Sequence, residues 1–319
     1  MQKPNAWGWF QALFDRIHTN VERAIQGKPR EIRLALVTLV AEGHLLIEDV
    51  PGVGKTMLAK AMARSIDCSF RRIQFTPDLL PTDINGVNVF NQERGDFEFK
   101  PGAIFANVVL GDEINRASPK TQSALLESME ERQVTVDGIS YQLGTPFMVI
   151  ATQNPIEHEG TYPLPESQLD RFMMRLEVGY PGADAEMDIL STHGTGSATF
   201  DVEPVTDAAS VGRLIALARE VHVADAIRRY IVGIAEATRR HPDIYLGASP
   251  RAAIMLLRAS RAFAASDGRD YVVPDDVKGI AVPILAHRLI VSADAGLSGR
   301  DARVVLGSVL DDVPVPVKG

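Results

Sequence analysis

The stretch EDVPGVGKT, residues 48–56, places two glycines, a lysine and a threonine at the end of an apolar run. Those residue types at that spacing suit the binding of phosphate. Successive backbone N–H groups can turn inward around an anion where a helix begins, and the partial positive charge of the helix start assists. Gly52 and Gly54 permit backbone conformations and close approaches that side chains would block. Lys55 can reach β- and γ-phosphates, and Thr56 can ligate Mg²⁺. The usual pattern, G-x-x-x-x-G-K-[ST], opens on glycine, where this chain has Asp49. Asp49 sits at the strand exit, farthest from the phosphates, so its presence does not disqualify the loop.

Three later segments add chemistry in order. VVLGDEINRA ends an apolar run in two carboxylates, Asp112 and Glu113. Asp112 is expected to hold Mg²⁺, through its water, and Glu113 to polarise the attacking water as general base. FMVIATQNP ends a second run in Asn154, placed to hydrogen-bond the γ-phosphate and the attacking water. Alone, Asn154 would read as a turn asparagine; it gains weight as the third polar strand end in succession. In LPESQLDRFMMRLEV, Arg171 precedes an apolar run and is poorly placed to reach its own loop. It fits an arginine that neutralises transition-state charge across a subunit interface, a device worth roughly three to five orders of magnitude in rate. The alternative is an ion pair with Glu166 or Asp170. Ser249 and Pro250 form a helix opening, hydroxyl cap then proline, which leaves Arg251 on the first turn as a γ-phosphate sensor or simply a solvated helix start. His158, between Glu157 and Glu159, reads as a solvated loop, because three adjacent residues cannot all face one ion.

These residues need a scaffold. Five short apolar runs read as buried strands: HLLIE (44–48), FRRIQF (70–75), NVVLGDE (107–113), FMVIAT (147–152) and FMMRLEV (172–178). Amphipathic stretches such as TMLAKAMARSI and SPKTQSALLESMEERQ separate them. Alternating strands and helices predict an α/β fold with a five-stranded parallel sheet covered on both faces, binding ligand at the strands' carboxyl ends. After GYPGADAE (179–186) and the loop THGTGSATF (192–200), the remaining sequence predicts only helices. The expected division is an N-terminal helix over 1–20, an α/β nucleotide-binding domain over 21–182 and an all-helical lid over 183–319. Trp7, Phe10, Phe14, Ile17 and Val21 follow helical spacing, as for a helix packed on its own or a neighbouring subunit, with membrane-surface contact as the alternative.

Composition narrows the classes. The 319 residues carry 33 basic and 41 acidic side chains, a net charge of -8, with 45% hydrophobic and 23% charged residues. This is an ordinary globular balance and lacks the basic footprint of a general nucleic-acid binder. Cys68, the sole cysteine, allows no internal disulfide and suits a cytoplasmic home. No run is long enough to span a bilayer, and the N-terminus does not read as a signal peptide.

Taken together, EDVPGVGKT, VVLGDEINRA, ATQNP, LPESQLDRF and ASPRA resemble the MoxR family of AAA+ ATPases, over nearly the whole chain. The resemblance implies roles by position. Pro51, Gly52, Val53, Gly54, Lys55, Thr56 and Met57 would be the Walker A loop on ATP. Asp112 and Glu113 would be the Walker B pair, with Thr56 and Asp112 toward Mg²⁺. Asn154 would be sensor 1, Arg171 the arginine finger acting in trans, and Arg251 sensor 2, in cis or in trans. AIQGKPREIRLAL resembles the family's VxGQ segment, which implies Ile25 and Gly27 near the adenine. EDVPG in place of EGVPG is similar to other variants in the family.

The resemblance also implies a helix-2 insert over 75–105, a hairpin turning around Arg94 to Asp96. Residues 131–144 alternate like a second hairpin, turning at Asp137-Gly138. Such hairpins face the pore or substrate in related rings; the alternative is plain surface hairpins. The implied activity is a chaperone-like ATPase, a homo-oligomeric ring expected to be a hexamer, acting on a protein partner such as one with a von Willebrand factor A domain. A chelatase-type motor subunit and a nucleotide-gated assembly switch with little turnover stand as alternatives. The DNA-helicase variant is disfavoured by the acidic charge and the lack of basic runs with interleaved aromatics.

Overall fold

The computed structural model describes residues 6–154, 161–184, 186–187, 190 and 202–316. His158 and the 192–200 loop lie outside the described residues.

Helices α1 (Ala6–Glu22) and α2 (Pro29–Val40) precede the sheet. The α/β layer then runs β1 (Leu45–Glu48), α3 (Lys55–Ser65), β2 (Phe70–Gln74), α4 (Pro81–Asn85), β3 (Gly86–Asn91), β4 (Asp96–Pro101), β5 (Val108–Asp112), α5 (Pro119–Glu131), β6 (Gln133–Val136), β7 (Ile139–Gln142), β8 (Met148–Gln153), α6 (Glu166–Leu169) and β9 (Met174–Leu176). The main sheet has five strands, ordered β2-β5-β8-β1-β9, all parallel. The five expected runs are those strands.

Their continuous apolar character has a simple cause, since both faces are covered. Leu45 and Ile47, Val108 and Leu110, and Met148 and Ile150 face the larger core, with α1–α3 and the lid. Leu46, Val109, Val149 and Ala151 face a second core with Phe75, Leu125, Met129 and Phe172. The register aligns Gln74 with Asp112 and Glu48 with Gln153, which brings the polar strand ends to one edge.

The apolar stripe of α1 settles where that helix packs. Phe10, Leu13, Phe14, Ile17 and Val21 are buried in the chain's own larger core, and the Arg213 guanidinium lies 4.5 Å from the centroid of Trp9. The helix runs to Glu22, two residues beyond the expected boundary.

The lid comprises α7 (Ala208–Glu220), α8 (Asp225–Arg240), α9 (Pro250–Ser266), α10 (Pro274–Leu285), α11 (Ala293–Leu297) and α12 (Ala302–Asp312). Ser249 caps α9, its Oγ accepting the Ala252 N–H at 3.1 Å. The lid is helical with one addition, a short antiparallel ladder between β10 (Ile244–Leu246) and β11 (Ile290–Val291). Strands of three and two residues carry no readable alternation, which is why helices alone were expected there.

Both hairpins form. β3 pairs β4, and the turn spans 92–95, against the expected Arg94 to Asp96. β6 pairs β7 through Asp137 (φ 50°) and Gly138 (φ 81°), both left-handed as a two-residue hairpin turn demands. The hairpins lean on each other. Phe99 stacks on Tyr141 with centroids 3.8 Å apart, and Asn88 donates to Asp137 at 2.7 Å.

A buried histidine links the sheet's amino edge to α5. His44 Nδ1 accepts the Val149 N–H at 3.0 Å, and Nε2 meets the Met129 carbonyl at 3.0 Å, which fixes the neutral tautomer. Burial holds its pKa down at about 4. A folded-state value below the unfolded one favours the neutral ring, so its stabilising effect is complete above about pH 6.5 and fades as pH falls towards 4. We expect the melting temperature to drop steeply over that window, by the equivalent of about 3 kcal/mol from His44 at full protonation. In His44→Phe the pH dependence should shrink, at the expense of neutral-pH stability. An unchanged pH profile in that variant would contradict the assignment.

Candidate active site

One cavity of about 500 Å³ opens at the carboxyl edge of the sheet. Pro51, Gly52, Gly54, Lys55, Thr56, Met57, Asp112, Glu113 and Asn154 line it, together with Lys60, Arg72 and Thr152. The loop leaves β1 and enters α3 at Lys55; Gly52 (φ 88°) and Gly54 (φ 92°) take left-handed conformations open to glycine. Lys55 Nζ donates to the Asp49 carbonyl at 2.7 Å. Burial pulls the Lys55 pKa down, while Asp49, Asp112 and Glu113 pull it up.

Asp49 has a structural task. It is 8% exposed, and one carboxylate oxygen accepts the Val50 N–H at 2.8 Å while the other accepts the Gly179 N–H at 2.5 Å. Gly179 and Pro181 wall a second cavity of about 270 Å³, together with Ile25, Val53, Gly54 and Met57. Gly27 (φ 73°) turns the chain between Gln26 and Lys28, which line that cavity, although Gly27 does not line it itself. The carboxylate thus ties the phosphate loop to the wall of an apolar pocket sized for a nucleobase. Asp49→Gly should weaken fluorescent-ADP binding about tenfold through loss of this charge-assisted bond. Unchanged affinity would show that the tie plays no part in binding.

Thr152 links the Asp112 carboxylate to the Glu113 backbone. Its Oγ1 donates to Asp112 Oδ1 at 2.6 Å and accepts the Glu113 N–H at 2.9 Å. Arg72 holds the other Asp112 oxygen, with Nη2 at 2.6 Å and Nε at 3.1 Å. Glu113 sits in the left-handed region (φ 58°), a sparsely populated conformation for a non-glycine residue that functional sites often hold. Its Oε2 accepts from Gln74 at 2.9 Å and from Arg116 at 3.2 Å. Asn154, 8% exposed, follows β8 into the same cavity.

The donor set fits Mg²⁺. Thr56 and Asp112 offer hard oxygen atoms within one cavity, and Mg²⁺ characteristically takes one or two protein oxygens, with phosphate and water completing its shell. No larger cluster of metal-ligating residues occurs among the described residues.

Arg171 and Arg251 lie elsewhere. They share a separate cavity of about 310 Å³ with Gly43, His44, Glu130, Arg132 and Met173. Gly43 and His44 precede β1 and Met173 precedes β9, so this cavity lies at the amino edge of the sheet. The four-residue β1 alone separates the two edges by roughly 13 Å. Arg171 pairs with Glu130 (Nε to Oε2, 3.3 Å) rather than with Glu166 or Asp170. Arg251 is not a simple solvated helix start: it also pairs with Glu130 and approaches Asp170 at 3.9 Å.

Residues 44–174 match the ATPase family associated with various cellular activities (AAA), and residues 236–305 match the AAA lid domain. The chaperone MoxR1 of Mycobacterium tuberculosis is 40% identical over 97% of this chain and 85% of its own length. The chain belongs to the MoxR family of AAA+ ATPases. Another relative, the uncharacterized protein YeaC of Bacillus subtilis, is 48% identical over 96% of both chains. A crystal structure of a candidate ATPase from Cytophaga hutchinsonii superposes with a TM-score of 0.91 at 37% identity, covering 98% of this chain and 97% of that one. Membership of the MoxR family carries an AAA+ module followed by a helical lid, with nucleotide binding implied. Among the described residues no helix is long and apolar enough to cross a membrane.

Sequence reasoning missed Thr152, Arg72, Gln74 and Gly179. Thr152 and Arg72 were read only as parts of strands; the sole available signal was a polar side chain inside an otherwise apolar run.

Proposed function

We propose that the chain hydrolyses ATP to ADP and phosphate with Mg²⁺ as one subunit of a closed ring, a hexamer, and uses the cycle to remodel or activate a protein partner in the cytoplasm. The observation that carries this reading is the split of the catalytic set between opposite edges of the sheet. Lys55, Thr56, Asp112, Glu113 and Asn154 line one edge, and Arg171 and Arg251 the other. Such a set is completed when the arginine edge of one copy meets the nucleotide cavity of the next. That contact is head-to-tail, and it closes into a ring when its rotation permits.

The roles follow from the chemistry. Backbone N–H groups of Gly52 to Lys55 cradle the phosphates, and Lys55 neutralises them. Thr56 and Asp112 would hold Mg²⁺, which would supply further charge neutralisation to the phosphates. Glu113 takes the proton of the attacking water, held in place by Gln74 and by Thr152, while Asn154 orients that water. Arg171, from the neighbour, meets the charge that develops on the transferred group. Arg251 serves the same neighbour, because it shares Glu130 with Arg171.

The paired hairpins support contact with a client. Phe90 and Phe97 lie near the β3–β4 tip, 51% and 67% exposed, with their rings edge-to-face at 5.4 Å. A protein with a von Willebrand factor A domain is the proposed client; a chelatase-type motor role is the second reading, and no nucleic-acid partner is proposed. A complete base and arginine set disfavours a switch without turnover. The test is a trap. Immobilised Glu113→Gln with ATP and Mg²⁺ is incubated in source lysate beside Lys55→Ala, and the bound proteins are compared by mass spectrometry. Enrichment of a von Willebrand factor A protein on the trap supports the reading. A large chelatase-type subunit would transfer the chain to metal insertion, and identical sets would contradict nucleotide-gated client binding.

A further inference from the structure

The lid contributes a buried cation to the segment that carries Arg171. Arg288 ends the 3-10 turn Ala286–Arg288, and its side chain is 2% exposed. Its Nε donates to Asp170 Oδ1 at 2.7 Å. Its terminal nitrogens donate to the carbonyls of Asp170 (3.2 Å), Phe172 (2.5 Å) and Met173 (3.3 Å), and to that of Ile284 on its own side. These bonds fall on both sides of Arg171. Asp170 also accepts from Ser249 Oγ, at 3.3 Å to each oxygen, and Ser249 is the cap of the helix that begins Pro250-Arg251.

An arginine in such a place is expensive to bury unless its donors are paired, and here they are. Apolar packing alone would hold α10 against β9. What a planar fork of five donors adds is direction: it selects one path for the backbone whose carbonyls it reads. The path selected is the one from which Arg171 projects. Through the Asp170 carboxylate, the same guanidinium fixes the start of the helix that presents Arg251.

We propose that Arg288 is the positioning residue of the arginine pair, locking the segment of Arg171 to the lid that carries Arg251, so that lid and finger move as one body. The inference rests on the reading that both arginines act on a neighbour's nucleotide. It makes Arg288 matter for the next subunit's turnover, and not for binding at its own loop.

The test uses the full chain and a double-mutant cycle. Arg288→Lys should lower kcat by about tenfold to a hundredfold, as expected of a finger displaced by about an ångström, with fluorescent-ATP affinity held within about twofold. Combined with Arg171→Ala the total loss should fall far short of the product of the two single losses, because both changes remove the finger and only the effect through Arg251 remains. Mixing Arg288→Lys subunits with Glu113→Gln subunits should restore turnover, each supplying what the other lacks. Thermal melting checks folding, and if Arg288→Lys does not fold, Asp170→Asn carries the same cycle. Losses that multiply with Arg171→Ala, or a fall in ATP affinity without rescue by mixing, would overturn the proposal. A wild type without turnover, or one indifferent to Arg171→Ala, would overturn the underlying reading and this inference with it. Arg171-dependent turnover with a multiplicative Arg288 effect would sink this inference alone.

Discussion

Glu113→Gln should lower ATP turnover by roughly two to four orders of magnitude while ATP still binds. The carboxylate lines the same cavity as Lys55, Thr56 and Asn154, and its backbone is held by Thr152 and its side chain by Gln74 and Arg116. Glutamine keeps the length and the polar contacts but accepts no proton. The loss should therefore appear in kcat and leave binding intact, which single-turnover kinetics and a fluorescent-ATP titration separate. A variant that retains a tenth or more of wild-type turnover would remove Glu113 from the role of base, and attention would turn to a water-ordering mechanism through Asn154.

Arg171→Ala should cost still more, roughly three to five orders of magnitude in kcat, with no change in affinity for nucleotide at the same chain's loop. The expectation follows from position. Arg171 lies beyond the amino end of β9, whereas the phosphate loop leaves the carboxyl end of β1, the neighbouring parallel strand. An effect on a subunit's own nucleotide affinity would contradict that placement. A further consequence concerns Glu130, which bridges Arg171 and Arg251 and lies next to Glu131, the last residue of α5, just before the β6–β7 hairpin. On the proposed reading, a neighbour's γ-phosphate would compete with Glu130 for the same two cations, which would place the sensing of one site at the root of a hairpin.

The parts of this site that were legible in the sequence are those that act locally. A glycine loop, a lysine and a threonine within nine residues dictate a backbone cradle whatever surrounds them, and a carboxylate pair after an apolar run is a strand end by necessity. Legibility ended where register and tertiary contact decide. Arg72 and Gln74 reach Asp112 and Glu113 because β2 pairs with β5 in one particular register, and nothing within FRRIQF announces it. Thr152 sat unnoticed in an apolar run, yet it holds the Asp112 carboxylate and the Glu113 backbone. The partner of Asp49, Gly179, is 130 residues away. The alternative expected for Arg171, an ion pair with Glu166 or Asp170, came from sequence proximity; its partner is Glu130, supplied by α5, which precedes β6, β7 and β8 in the chain. The lid's β10–β11 ladder was missed because segments of two or three residues hold too little pattern to separate strand from loop.

The central claim is that a working site is built from two copies of the chain, and mixing two inactive variants tests it most directly. Arg171→Ala keeps an intact Glu113 and lacks a finger; Glu113→Gln keeps the finger and lacks a base. Each alone should be nearly silent in phosphate release. Combined in equal amounts and allowed to exchange subunits, they should recover a substantial fraction of wild-type turnover, at interfaces where an intact Arg171 faces an intact Glu113. A mixture as silent as its components, with subunit exchange verified by differential labelling, would contradict a finger acting in trans and with it the split site proposed for this chain.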